Sequence, residues 1–142
     1  RTEQRETKEQ DPAWQEFSKT VGKIAVEDIL TARREVLSMH VSESLEEYLV
    51  QLIVATRKPE KYDASLRDKI LFGASPRATI ALDKCAKINA WLDGRDFVTP
   101  EDIHAVIYDV LRHRIILSFE AQADGLTTDD IIASLLKTVP LP

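Results

Sequence analysis

Apolar residues along this chain recur mostly at helical spacing and seldom alternate in twos. Val26, Ile29, Leu30, Val36 and Leu37 form a stripe interrupted by Arg33, which predicts an amphipathic helix over 26–38. A second helix is expected to open at Ser44-Leu45-Glu46-Glu47, which reads as a capping box, and to end near Arg57. Its stripe is Leu45, Tyr48, Leu49, Leu52, Ile53 and Thr56. Ser75-Pro76 reads as N-cap and first helical position of a third helix, which runs to Leu92 and stops at Asp93-Gly94. Its expected buried face is Ala78, Ala81, Leu82, Cys85, Ala86 and Leu92, small enough for a neighbouring helix to approach closely. Asn89 falls on that face and needs a hydrogen-bond partner if buried. Thr99-Pro100-Glu101-Asp102 starts a fourth helix with Ile103, Val106, Ile107, Val110 and Leu111 at i, i+3, i+4, i+7 and i+8. Thr127 with Asp130 opens a last one over Ile131, Ile132, Leu135 and Leu136, closed by Pro140.

The connecting stretches carry weaker signals. Residues 58–73 are polar, with one proline and one glycine, and predict a loop holding at best a turn of helix around 63–70. Ile115-Ile116-Leu117-Ser118-Phe119 fits a short strand or the frayed end of the fourth helix, and periodicity does not separate the two. Asp124-Gly125 is a turn. Residues 1–10 are charged and polar without apolar period, and Asp11-Pro12 could start a short helix through Trp14 and Phe17. The division expected is a polar tail or linker with a short helix over 1–20 and one helical domain over 21–142. The fold class is all-α, a bundle of about five helices whose stripes meet in a common core, with an extended piece possible near 115–119.

Composition narrows what such a bundle can do. A 44% hydrophobic, 30% charged chain has an ordinary globular balance and is expected to fold. A net charge of −5 argues against a protein that works mainly by neutralising nucleic-acid phosphates, so no nucleic-acid partner is expected. Cys85 is the single cysteine and the three histidines are widely spaced, so neither an intrachain disulfide nor a zinc-ligand pattern is present; no metal site is expected. No apolar run approaches the ~20 residues a membrane helix needs, and a reducing cytoplasm fits best. The first residue is Arg rather than Met, so an excised piece of a longer protein is expected.

The sequence lacks a phosphate-binding P-loop, a G-x-S-x-G elbow, an H-E-x-x-H zinc motif and a dinucleotide fingerprint. Its many carboxylates sit at helix starts and on solvent faces, where capping explains them. Cys85 reads as a small core residue. Arg112-His113-Arg114 sits at a helix C-terminus, where cations are favoured, although Arg114 continues the apolar stripe and could pair across a boundary. One position breaks a local rule: Arg77 puts a cation in the first turn of a helix, at the positive end of its dipole. A phosphate there would meet free backbone N–H groups and a guanidinium able to hold two oxygens, while a solvated arginine would carry a penalty of only a few tenths of a kcal/mol.

Gly73-Ala74-Ser75-Pro76-Arg77-Ala78 is similar to the GASPRA segment of MoxR-family AAA+ ATPases. Tyr48 to Arg57, ending Ala-Thr-Arg, resembles the helix that precedes it, and Gly94 to Ile103 and Val110 to Ile115 follow in family order. The resemblance covers about 26–142 and implies the helical C-terminal lid of such an ATPase, separated from its P-loop domain. Arg77 then resembles the sensor-2 arginine that reaches the γ-phosphate, with Ser75 beside it as a further nucleotide-binding residue. The resemblance also implies ATP and Mg²⁺ in the parent protein, a homo-oligomeric ring of six subunits, chaperone-like remodelling of other proteins, and partners carrying von Willebrand factor A domains. Asn89 departs from the small apolar residue usual in that helix, and the loop before GASPRA is long.

A rival of another class is a stand-alone helical interaction module in which Arg77 is an ordinary surface residue. A P-loop and Walker B carboxylate encoded upstream of Arg1 favour the lid; a gene beginning here removes it. Most phosphate contacts would lie outside this chain, so it is expected to bind ATP weakly by itself. Titration calorimetry checks this, and low-micromolar binding contradicts it.

Overall fold

The computed structural model describes residues 22–142 together with Pro12. The short helix expected through Trp14 and Phe17 lies outside the described residues. Six α-helices and a two-stranded sheet make up the described part: α1 (Val26–Leu37), α2 (Glu43–Arg57), β1 (Ile70–Phe72), α3 (Arg77–Leu92), α4 (Pro100–Leu111), β2 (Ile116–Leu117), α5 (Phe119–Ala123) and α6 (Thr128–Thr138). Residues 34–142 form one compact unit; the first two turns of α1 precede it. The fold is helical, as the periodicity predicts.

The core of this unit is built on α2, α3, α4 and α6. Leu52, Leu82, Ile103, Ile107, Leu111, Ile131, Ile132 and Leu135 are all less than 2% exposed, and burial of each such side chain contributes about 1.5–3 kcal/mol. Helix α3 supplies Ala78, Leu82, Ala86 and Ala90, all fully buried and spaced by four. A ridge made mostly of methyl groups lets α4 lie close along it. This ridge differs from the expected stripe at one end: Ala90 is buried and Leu92 is 70% exposed. A strict spacing of four drifts around the helix, and by the last turn it has carried Leu92 off the packed side.

Other expectations are corrected by the same geometry. Helix α2 is capped by Ser42, whose side chain accepts from Leu45 N, and not by Ser44. Of the expected α1 stripe only Val36 is buried, while Val26, Ile29, Leu30 and Leu37 are exposed. Periodicity records that a helix has an apolar side, not what covers it. Residues 58–73 are more ordered than a plain loop: 3₁₀ turns at Pro59–Lys61 and Ala64–Leu66 lead into β1. The β1 strand pairs antiparallel with β2, with Ile70 opposite Leu117, Phe72 opposite Ile116, and an irregularity in register between them. Ile115-Ile116-Leu117 is therefore extended, its side chains alternately buried, exposed and buried. The short helix α5 follows at once, capped by Ser118. Gly94 and Gly125 have positive φ and terminate α3 and α5, where a side chain would strain the turn.

The α3–α4 pair is pinned by a polar knot at its connection. Asp102, 1% exposed, accepts from Arg95 through both oxygens at 2.7 and 2.6 Å, from Asn89 Nδ2 at 2.8 Å and from Thr99 N at 2.8 Å. Asn89, the departure on the helix face, thus has the partner it needs. Burial alone would raise the Asp102 carboxyl; the bonds from Arg95, Thr99 and Asn89 outweigh it and hold the group well below the usual carboxylate range. The unfolded chain therefore takes up this proton first as pH falls, and the stabilisation, complete near neutrality, drains away below about pH 4. Asp102→Asn is expected to lower unfolding free energy at pH 7 by about 3 kcal/mol, by leaving Arg95 without its buried charge partner and with only the exposed Asp93. It is also expected to flatten the acid limb of stability. Denaturant titrations from pH 7 to 2 check both, and an acid limb as steep as in the parent chain would show that other carboxylates govern it.

Candidate functional site

The turn that leads into α3 is held by the end of α2. Thr56 is fully buried; its hydroxyl donates to Ile53 O at 2.7 Å, within its own helix, and accepts from Ala74 N at 2.9 Å. One polar side chain thereby fastens residue 74 to the last turn of a helix 18 residues earlier. Gly73 makes the close approach possible. A Cβ at this position would stand 2.3 Å from Thr56 O, 2.6 Å from Thr56 C and 2.8 Å from Arg57 N, all backbone atoms. Its φ is not positive, so glycine is required here by crowding and not by conformation. Ala74 and Ala78 are fully buried on either side of the turn.

Arg77 follows as the first residue of α3, exposed to solvent and without a hydrogen bond or ion pair to any described residue. Its helix starts one residue later than the Ser-Pro signal predicts. Pro76 occupies the cap position with helical φ and ψ, and no side chain caps the terminus. Ser75 is exposed and contributes its carbonyl, which accepts from Ala78 N at 2.8 Å. The other described α-helices each carry an acid in the first turn: Glu27 and Asp28, Glu43 and Glu46, Glu101 and Asp102, Glu120, Asp129 and Asp130. Helix α3 has none and places a guanidinium there instead. That terminus keeps both its positive dipole end and a free cation.

The remaining candidates are absorbed by structure. Arg112 bonds Asp129 at 2.7 and 3.0 Å and Asp109 at 3.2 Å, which raises its pKa through those carboxylates. Arg114 turns back to donate to Val110 O at 2.9 Å and so caps α4, with no partner needed across a boundary. Trp91 donates to Glu35 at 2.9 Å, and His104 shares a 2.8 Å hydrogen bond with the Tyr48 hydroxyl. Cys85 is half-buried. Among the described residues no group of three or more His, Cys, Asp or Glu is placed to hold a metal, and no helix is long and apolar enough to cross a membrane. Sequence reasoning misses Thr56 as a connector, because its apolar-stripe position hides the hydroxyl, and it reads Asp102 only as a cap. An arginine seven residues before that aspartate was the available signal.

Comparison with known proteins bears on the family and the fold. Residues 64–135 match the model of the AAA lid domain. The chain is 39% identical over 116 residues to chaperone MoxR1 of Mycobacterium tuberculosis, covering 81% of this chain and 31% of that protein. It is 42% identical over 72 residues to protein MoxR of Methylorubrum extorquens, covering 49% and 21%. A crystal structure from Cytophaga hutchinsonii, described as a candidate ATPase, superposes with a TM-score of 0.79 at 45% identity, covering 82% of this chain and 36% of that one. The chain thus spans about a third or less of the length of these relatives.

The crowding at residue 73 has a measurable consequence. Gly73→Ala should destabilise the chain by about 3 kcal/mol, at the upper end of overpacking costs because backbone rather than a flexible side chain must move. Thermal or denaturant unfolding reads this directly; parental stability would mean that the two segments separate at little cost.

Proposed function

The chain belongs to the AAA lid domain family and is of the MoxR type, and from that premise we propose that it is the nucleotide-responsive lid of an AAA+ ATPase. Arg77 is the residue that would reach the γ-phosphate of ATP held by a P-loop domain, with Ser75 beside it. The observation that carries this reading is the free, exposed guanidinium at the uncapped N-terminus of α3, on a helix whose inner face, Ala78, Leu82, Ala86 and Ala90, is fully buried. A phosphate at this terminus would relieve the conflict between cation and dipole, and a planar guanidinium can hold two of its oxygens. Rigid backing matters because an arginine stabilises charge on a phosphoryl group only if it is already in place when that charge develops. The described residues hold no acidic cluster for Mg²⁺, so the ion and its ligands belong, in this proposal, to the P-loop domain.

The same proposal extends to the assembled protein. Lid closure on ATP would couple the state of the nucleotide to the position of this bundle, within a homo-oligomeric ring of six subunits. The name of the Mycobacterium tuberculosis relative describes a chaperone, and a chaperone-like role in remodelling other proteins is carried over on that basis, with von Willebrand factor A domain proteins as partners from the family resemblance. A cytoplasmic setting suits the free thiol of Cys85.

Arg77→Ala in the intact ATPase is expected to lower ATP turnover by about a hundredfold. The melting temperature should stay unchanged, since Arg77 bonds no described residue. Steady-state ATPase assays with parallel thermal unfolding test this. Turnover equal to that of the parent protein would overturn the sensor role.

A further inference from the structure

We propose that Thr56 is a positioning residue for Arg77, setting the place of the guanidinium through the Ala74 amide; this rests on the reading of Arg77 as the phosphate contact. Three observations converge on it. Thr56 is a fully buried polar side chain in the core, with its hydroxyl spent entirely on backbone: one bond to Ile53 O and one from Ala74 N. The second bond joins the end of α2 to the turn before α3, which are separated in sequence by the 58–73 connection. Gly73, immediately before the bonded amide, lies with its Cα against the Thr56 carbonyl so closely that no side chain fits. Between this anchor and Arg77 stand only Ser75 and Pro76, and Pro76 has little freedom in φ.

The path from hydroxyl to the backbone that bears the Arg77 side chain is therefore short and stiff. On the far side Ala78 is fully buried against the core, so the turn is held at both ends with Arg77 projecting between them. A hydroxyl that both donates and accepts fixes direction as well as distance, because each bond is angle-dependent. A methyl group in its place would fill the same volume and leave the Ala74 N–H without its acceptor. The turn would then be free to shift, and misplacement of a catalytic group by an ångström is enough to reduce turnover.

The test uses the intact ATPase with Thr56→Val, Thr56→Ser, Arg77→Ala and the Thr56→Val/Arg77→Ala pair, with rates expressed per folded molecule. Thr56→Val is expected to lower kcat about tenfold with little change in KM for ATP. Thr56→Ser, which keeps the oxygen, should restore kcat to within about twofold of the parent, and Thr56→Val should cause no further loss once Arg77 is alanine. If Thr56→Val is too unstable to assay, Thr56→Ala makes the same comparison. A kcat unchanged in Thr56→Val while Arg77→Ala is impaired would overturn the positioning role and leave the sensor reading standing. So would an equal loss from Thr56→Val in both backgrounds, which marks a purely structural residue. Parental turnover in Arg77→Ala would instead remove the reading on which this inference rests.

Discussion

The end of α2 and the turn before α3 meet at van der Waals limit, with the Thr56 carbonyl standing where any side chain on residue 73 would have to go. Much of the rest of the site depends on this contact. Because the two backbones touch, the Thr56 hydroxyl reaches the Ala74 amide, the short turn has nowhere to wander, and α3 begins at a fixed point with its first residue exposed. An exposed arginine on a mobile loop would be an ordinary surface charge. The same arginine at the start of a helix whose inner face is sealed against the core has a defined origin.

The energetic character of the bundle is uneven in a way that suits this arrangement. Around α3 the packing is close and made largely of alanine, so stability there comes from fit as much as from the area removed from water. Where α3 turns into α4, a buried carboxylate replaces apolar packing, and it is tolerable because five separate donors from Arg95, Asn89 and Thr99 satisfy it. The knot fixes the angle at which α3 and α4 leave their connection, and with it the inclination of the helix that carries Arg77.

Much of this was legible in the sequence, and the exceptions have physical reasons. Helix starts were clearest where proline, threonine and acids coincide, as at Thr99 to Asp102, since each residue type constrains backbone or donors by itself. The cap of α2 was missed by two residues because Ser42 and Ser44 are chemically identical and only the backbone decides which one turns inward. Leu92 was placed in the core because periodicity is read on an ideal cylinder, whereas the real ridge runs 78, 82, 86 and 90. Strand β1 is invisible in the sequence: three residues cannot show a period of two, and the partners lie 44 and 47 residues downstream. Arg77 stood out because it violates a local rule, and Thr56 did not because it obeys one.

The small sheet binds the two halves of this picture together. A pairing of three residues with two is far too short to persist unaided, and closing the long loop between its strands costs entropy that only the intervening α3–α4 hairpin can offset. The pairing is therefore conditional on that hairpin, and β1 runs directly into Gly73. The start of α3 is thus tied to the rest of the bundle from two sides, through the Thr56 hydroxyl at the end of α2 and through a strand whose partner lies beyond α4.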